Sequence, residues 1–369
     1  GSSEGRMRVH GSQDFGMIPL CSPPSNPGAL CPRKMPHYNH ATQSTRRKAR
    51  WGNMKAVVVS EAGGPEVLRY CDVPTPVARP GWSLIKVRGA GVNHSEIFTR
   101  EGKSPSVAFP RILGIECVGQ VEQTLNPDLH VGQTVVSIMG EMGRAFDGGY
   151  AQYALLPDEQ VYPVSTSLPL EQLATVPETY YTAFGSLERL RLEDGDDVLV
   201  RGATSGVGIA FSKLVRALYP SCSITGSTRS ADKGERLLNA GFDRYVVDDR
   251  NALRTKASFD AILDLVGPAA AQDTFAHIRP GGTVCITGLL GGQWTLDGFD
   301  PIMDTNGGYL AGFYSGDVEG ESLQRLVAMI EDRRIDVRPE RAFPLSQMRQ
   351  AHAYLASRDS FGKVVAIPE

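Results

Sequence analysis

The chain has 369 residues, 41% of them apolar and 21% charged, with a formal net charge of −3. That length admits two domains and a sizeable core. The charge gives no global attraction to nucleic acid, and no run reaches the ~18 uncharged apolar residues of a spanning helix, so neither nucleic acid nor membrane is an expected partner. Six cysteines are scattered: Cys21 and Cys31 near the start, and Cys71, Cys117, Cys222 and Cys285 in the body. None forms a C-x-x-C pair or has a histidine at zinc-site spacing, which reads as thiols in a reducing, cytoplasmic compartment.

Residues 1–53 are rich in Pro, Ser, Gly and Arg, lack apolar periodicity, and close on the basic run Arg46-Arg47-Lys48-Ala49-Arg50. The opening Gly-Ser-Ser looks like a cloning scar, and the segment reads as a disordered tail. A transit peptide, which would make the location mitochondrial, is the alternative, although the prolines would break a targeting helix. From Met54 the pattern changes. Met54–Val59 reads as a strand, Gly63-Gly64-Pro65 as a turn, and Trp82–Val87 alternates like a half-buried strand. Short β-rich runs continue to about Pro177, giving an irregular, mostly antiparallel β domain.

Strands and helices then alternate. Asp197–Val200 is a short apolar strand, and a helical stretch runs from Gly206 to Leu218. Strand Ser223–Gly226, helix Ala231–Ala240, strand Tyr245–Val247, strand Ala261–Val266, helix Ala269–Ile278, strand Thr283–Ile286 and strand Tyr309–Phe313 follow. Such alternation implies a parallel, doubly wound sheet. The remainder, with helices near Glu321–Arg333 and Ser346–Ser357 and a last strand Lys363–Ile367, is expected to return to the β domain.

The strongest local signal is Val198-Leu199-Val200-Arg201-Gly202-Ala203-Thr204-Ser205-Gly206-Val207-Gly208. A buried strand passes through small residues into a helix. A pyrophosphate can then approach the backbone N–H groups at the helix start, where a Cβ would block it. The strand before, the helix after and the βαβ series beyond are the context a dinucleotide loop requires. Sites for NAD place an acid at the end of the second strand, about 20 residues on. Here that segment is Gly226-Ser227-Thr228-Arg229-Ser230-Ala231-Asp232-Lys233. Thr228 and Ser230 offer hydroxyls, Arg229 a guanidinium suited to bidentate phosphate contact, and Lys233 lies one turn further on. NADPH is the expected cofactor, unless Arg229 and Lys233 are merely solvated charges at a helix start.

From Met54 to Glu369 the chain resembles the medium-chain dehydrogenase/reductases, and among them the zinc-free quinone oxidoreductases. The likeness is carried by Met54–Val57 with Gly63–Leu68, Gly91-Val92-Asn93-His94-Ser95-Glu96, Pro110–Glu116, Gly148-Gly149-Tyr150-Ala151-Gln152-Tyr153 and Gly202–Gly208. The resemblance implies an α/β fold: a GroES-like β-rich catalytic domain (54–177 and 316–369) plus a Rossmann domain (178–315) binding NADPH. Zinc alcohol dehydrogenases of the superfamily hold a catalytic metal on Cys, His and Cys; the matching positions here are Asn93, Ile115 and Glu178. An amide and an isoleucine cannot supply a zinc site. No metal is expected, with residual binding through Glu116, Glu178 and His94 a minor alternative and His94 more simply a helix-start or surface residue.

Without zinc to polarise an oxygen, reduction of a quinone or of the activated C=C of an α,β-unsaturated carbonyl is the expected reaction, since that acceptor is already electrophilic. By resemblance, Asn93 lies near the nicotinamide and the acceptor's carbonyl, Thr182 lies near the nicotinamide ring, and Tyr150, a candidate proton donor, lines the substrate cleft with Phe98; Tyr180 is a further substrate-binding candidate. Each also has a plain reading as turn, helix-start or core residue. Thr204, Ser205, Gly206, Val207, Gly208, Leu265, Gly288, Leu289, Leu290, Phe313 and Lys363 would border the cofactor. Two departures stand out: Ser205 where the family's loop commonly has glycine, and Asp248 where a tyrosine often contacts the adenine side. An enoyl-thioester reductase and a non-catalytic NADPH-binding protein are the competing functions, and a homodimer paired through Rossmann sheet edges is the expected assembly.

Overall fold

A computed structural model describes residues 52–369. The expectations for the tail, Cys21 and Cys31 included, lie outside the described residues. The β-rich part is built on the long strand Trp82–Val92, which is buried on both faces over most of its length and exposes only Arg88. It pairs antiparallel with Glu116–Gln123 on one side. On the other it pairs with Tyr153–Pro157 near its start and with the C-terminal strand Val364–Ile367 near its end. The full sheet runs Arg341–Pro344, Val364–Ile367, Trp82–Val92, Glu116–Gln123, Thr134–Ile138, Tyr162–Pro163. A three-stranded sheet of Leu68–Pro74, Asn53–Val59 and Arg111–Ile112 packs beside it.

The register of the C-terminal strand matters most for the site. Val364 sits opposite Val92, so Lys363 and Asn93, 270 residues apart in the chain, meet at one sheet end.

The second sheet is parallel apart from one short edge strand. Its order is Ala252–Leu253, Arg244–Asp249, Ser223–Thr228, Asp197–Arg201, Phe259–Asp264, Ile278–Ile286, Tyr309–Gly312. The chain order reverses on either side of Asp197–Arg201, which opens a crevice at the carboxyl ends of the strands. The strand ends Arg201, Thr228, Asp264 and Ile286 therefore share one edge. Helix Gly206–Leu218 occupies the predicted residues. The expected helix Ala231–Ala240 is a 3-10 turn, Ala231–Lys233, followed by Gly234–Asn239. The expected helix Ala269–Ile278 stops at Ala276, because Ile278 is already paired with Phe259 in the sheet. One apolar core joins the two sheets: Ile115 and Val118 reach Val198 and Val200 through Tyr180, Tyr181 and Leu187. No helix among the described residues is long and apolar enough to cross a membrane.

Candidate active site

The loop Gly202–Ser205 and the helix behind it form one wall. Ser205 caps the helix: its Oγ accepts the Gly208 N–H at 3.1 Å and donates to the Gly202 carbonyl at 2.9 Å. The serine that departs from the family's glycine thus does a cap's work. Gly208 is required, since a Cβ there would lie 2.6 Å from the Ala203 carbonyl oxygen. The N–H groups of Gly206 and Val207 have no acceptor among the described residues, which leaves a helix start open to an anion. The loop is tied to the C-terminal segment by Gly362 N–H donating to Thr204 O at 2.9 Å. Leu265 and Leu290 border Gly202 from the neighbouring strand ends, and the Leu290 N–H donates to Leu265 O at 3.0 Å, with Gly288 and Leu289 in the same turn.

At the end of the second strand, Arg229 is exposed. Thr228 is buried, and its Oγ1 is held by the Ser230 carbonyl at 3.0 Å. The Lys233 ammonium donates to Ser360 O at 2.7 Å, and burial together with the positive charges of Arg229 and Arg236 pushes its pKa down. A cluster of cations that disfavours the charge on Lys233 is suited to a bound anion. Burial, and then the Arg229 charge, push His94 down to about 4, so the imidazole at the start of helix His94–Arg100 is neutral.

Opposite lies a cluster of three carboxyls and one ammonium. Lys363 Nζ donates to Glu116 Oε1 at 2.6 Å and to Asn93 Oδ1 at 2.7 Å; both members of the ion pair are buried. Asn93 Nδ2 donates to Glu116 Oε1 at 2.9 Å and leans on Glu96 Oε1 at 3.4 Å. Glu96 also accepts the N–H groups of Asn93 and Ile115. Gly91 makes this contact possible, since a Cβ there would overlap both Glu116 Oε1 and the Lys363 ammonium. Glu116 Oε2 accepts the Glu178 N–H at 2.8 Å. Glu178 Oε1 accepts from Ser315 Oγ at 2.9 Å and Thr182 Oγ1 at 3.4 Å, while its Oε2 is buried without a partner. Burial first, and then the Glu116 charge, push Glu178 up to about 7; burial likewise pushes Glu96 up to about 7.

Several expected residues stand elsewhere than expected. Asn93 is not a free donor: both amide hydrogens face carboxyls. Tyr150 does not line the cleft, because it is fully buried in the β-domain core and its hydroxyl meets His352 Nε2 at 3.2 Å. Arg100 approaches the other ring nitrogen of His352 at 3.1 Å; burial and that charge hold the imidazole neutral, down to about 3. Burial and the neighbouring Glu96 and Glu116 charges raise the Tyr150 phenol well above its ordinary range, which makes it a poorer acid. Tyr180 is buried too, with its hydroxyl on Asp336 O at 3.5 Å. Phe98 is part-exposed on helix His94–Arg100. The Phe313 ring packs over Gly185 and edge-on to Tyr181, 5.8 Å between centroids, on the sheet-helix side.

Two features escaped the sequence reading. One is the Lys363–Glu116 pair, whose partners lie 247 residues apart. The other is Arg201, fully buried, which binds both oxygens of Asp248 at 2.8 and 3.1 Å. A lone charge closing an apolar strand was the available signal for Arg201. Asp248 is its partner, which explains an acid where the family often has tyrosine.

A family model for an alcohol dehydrogenase GroES-like domain matches residues 79–166, and one for a zinc-binding dehydrogenase matches 240–365. A quinone oxidoreductase of Lama guanicoe is 31% identical over 254 residues, covering 64% of this chain and 74% of the relative. An NADPH-dependent alkenal/one oxidoreductase of Arabidopsis thaliana is 26% identical over 328 residues, covering 85% and 80%. A mycobacterial protein solved in complex with NADPH superposes with a TM-score of 0.72 at 26% identity, covering 85% of this chain and 100% of that one. Fold and likeness together define an oxidoreductase. The chain belongs to the medium-chain dehydrogenase/reductase superfamily, among its quinone oxidoreductase-like members.

Proposed function

We propose that the chain is a zinc-independent, NADPH-dependent reductase of quinones or α,β-unsaturated carbonyls. The observation that carries this reading is the ammonium of Lys363 between Asn93 and Glu116. At the position where zinc enzymes of the superfamily gather thiolates and an imidazole, this chain places an amide, carboxyls and a cation of its own. That set offers no thiolate, and the ammonium already occupies Glu116 Oε1 and Asn93 Oδ1, so a metal ion would have to displace it. The nicotinamide, when bound, supplies the hydride. The chain's part is to hold the dinucleotide at the Gly206–Gly208 helix start, to bind the 2′-phosphate through Arg229 with Thr228, Ser230 and Lys233, and to place Thr182 near the reacting end. Residues 54–177 with 316–369 then form the catalytic domain, and 178–315 the cofactor domain.

The purified chain is expected to consume NADPH with small quinones or enones, far faster than NADH, and to retain that activity after chelation. Replacing Arg229 by Ala removes a charge-assisted contact of about 1.5–3 kcal/mol, or roughly 10–100-fold in NADPH affinity, and leaves NADH nearly unchanged. Equal loss for both coenzymes, in a fluorescence titration, would remove the phosphate role. Zinc bound stoichiometrically in the cleft would overturn the metal-free reading.

The reading includes a homodimer. Strand Tyr309–Gly312 ends the parallel sheet, and Trp294, Ile302, Met303, Tyr309 and Leu310 beside it are exposed. An apolar open sheet edge favours pairing with a second copy. Light scattering on a sizing column is expected to give twice the chain mass; monomer at all concentrations would exclude it.

A further inference from the structure

Reduction of a carbonyl-conjugated acceptor needs a proton as well as a hydride, and the two residues expected to face the acceptor's oxygen are otherwise engaged. Asn93 has turned its amide onto Glu96 and Glu116, and the Tyr150 hydroxyl is sealed in the core on His352. One acidic group beside them is left with an unused oxygen. Glu178 lies on the π-helical turn Val176–Tyr180, a local irregularity common at functional sites. Its neighbour Thr179 reaches Gly206 at the start of the cofactor helix. The residue is part-exposed, yet Oε2 is shielded from solvent and meets no group of the chain. Among the described residues it is the only carboxyl oxygen so placed.

The charge count in the cluster points the same way. Three carboxyls, Glu96, Glu116 and Glu178, share the single ammonium of Lys363, and that ammonium is bonded to Glu116. Glu96 receives two backbone N–H groups. Glu178 receives only the hydroxyls of Ser315 and Thr182, both on Oε1. The charges acting on it are Glu116, which disfavours ionisation, and Lys363, which partly offsets that.

We propose that Glu178 is the proton donor of the reduction, with Oε2–H directed at the carbonyl oxygen of the acceptor. This rests on the reductase reading above. For an enone, the hydride and its electron pair bond to the β-carbon, and the C=C electrons move to give an enolate. The Oε2–H bond breaks with its electrons left on the carboxylate, and the proton joins the enolate oxygen. The enol then tautomerises to the saturated ketone in water, and a solvent proton restores the carboxyl. For a quinone, the hydride and this proton together complete the hydroquinone. Each turnover consumes one NADPH, one acceptor and one proton.

The test compares the wild-type chain with Glu178→Gln and Glu178→Asp on the small quinone or enone that the wild type reduces fastest. Glu178→Gln keeps the shape and a hydrogen-bond donor but has no transferable proton. It is expected to bind NADPH within about twofold of wild type and to lose about 10²–10⁴-fold in kcat, the usual range for general acid catalysis. Wild-type kcat should fall as pH rises past about 7, where the donor ionises; that limb should vanish in the Gln variant. Glu178→Asp, which keeps the carboxyl, should recover part of the rate together with the limb, and it guards against a Gln variant that fails to fold. A Gln variant with wild-type kcat and an unchanged pH limb overturns the proposal alone. A wild-type chain that turns over no acceptor overturns the reductase reading, and the proposal with it.

Discussion

Replacing Lys363 by Met is expected to destabilise the chain by about 3–5 kcal/mol, the cost of leaving one partner of a buried pair uncompensated. Lys363 and Glu116 are both buried and lie 2.6 Å apart. Without the ammonium, Glu116 Oε1 and Asn93 Oδ1 both lose that donor in a buried site shared with Glu96 and Glu178. The effect carries a pH signature. Glu96 and Glu178 have folded-state values of about 7 against an ordinary 4.5. The native state therefore holds protons that the unfolded chain releases between those values, and their contribution to stability falls as pH rises through that window. Lys363 lowers both values, so its loss pushes them higher and extends the falling limb above pH 7. Lys363→Met should thus lose most stability on the alkaline side. The double variant Lys363→Met with Glu116→Gln removes both charges and should recover much of the loss, by less than additive behaviour. Urea midpoints across pH decide this. A single variant within 0.5 kcal/mol of wild type would show that the pair is not what holds the sheet end together.

The parts of this architecture that were legible in the sequence are those set by local rules. The strand-turn-helix from Val198 to Leu218 could be read because a phosphate loop needs small residues at fixed offsets, and the helix bounds agree with the structure. The missing acid after Ser223–Thr228 was legible for the same reason. Side-chain direction was not. Tyr150 and Tyr180 carry no mark of which face they occupy, and each turned into the core. Asn93 could be singled out from its segment, but the direction of its amide depends on Lys363, which reaches it only through the register of the last strand. Contacts closed by strand pairing across the whole chain leave no local pattern. The two helices that came out shorter than expected show the same limit: where Ile278 enters the sheet, pairing with Phe259 overrides the helical propensity of the preceding run.

Arg201→Leu should be the second large effect, about 3–5 kcal/mol on stability, with a marked loss of dinucleotide affinity. The guanidinium is fully buried at the carboxyl end of the central strand. It binds Asp248 through two contacts, Asp273 at 2.9 Å, Thr274 Oγ1 at 2.8 Å and Ala270 O at 3.2 Å. Thr274 Oγ1 in turn donates to Asp264 Oδ2 at 2.6 Å, and Asp264 Oδ1 accepts the N–H groups of Val266 and Gly267. One cation therefore fixes the ends of three adjacent stretches that border the crevice. Leucine would leave Asp248 and Asp273 without their counter-charge at the edge where the proposed cofactor's pyrophosphate would approach, so repulsion adds to the packing loss. Asp248→Asn is the informative contrast. The amide oxygen can still accept from the guanidinium, and Asp273 still balances its charge, so the expected cost is nearer 1–2 kcal/mol, with NADPH affinity largely kept. Chemical denaturation with a parallel NADPH titration separates the two. Equal midpoints for Arg201→Leu and wild type would mean that the cluster is relaxed by water, and that Asp248 reaches solvent or the cofactor rather than serving the strand end.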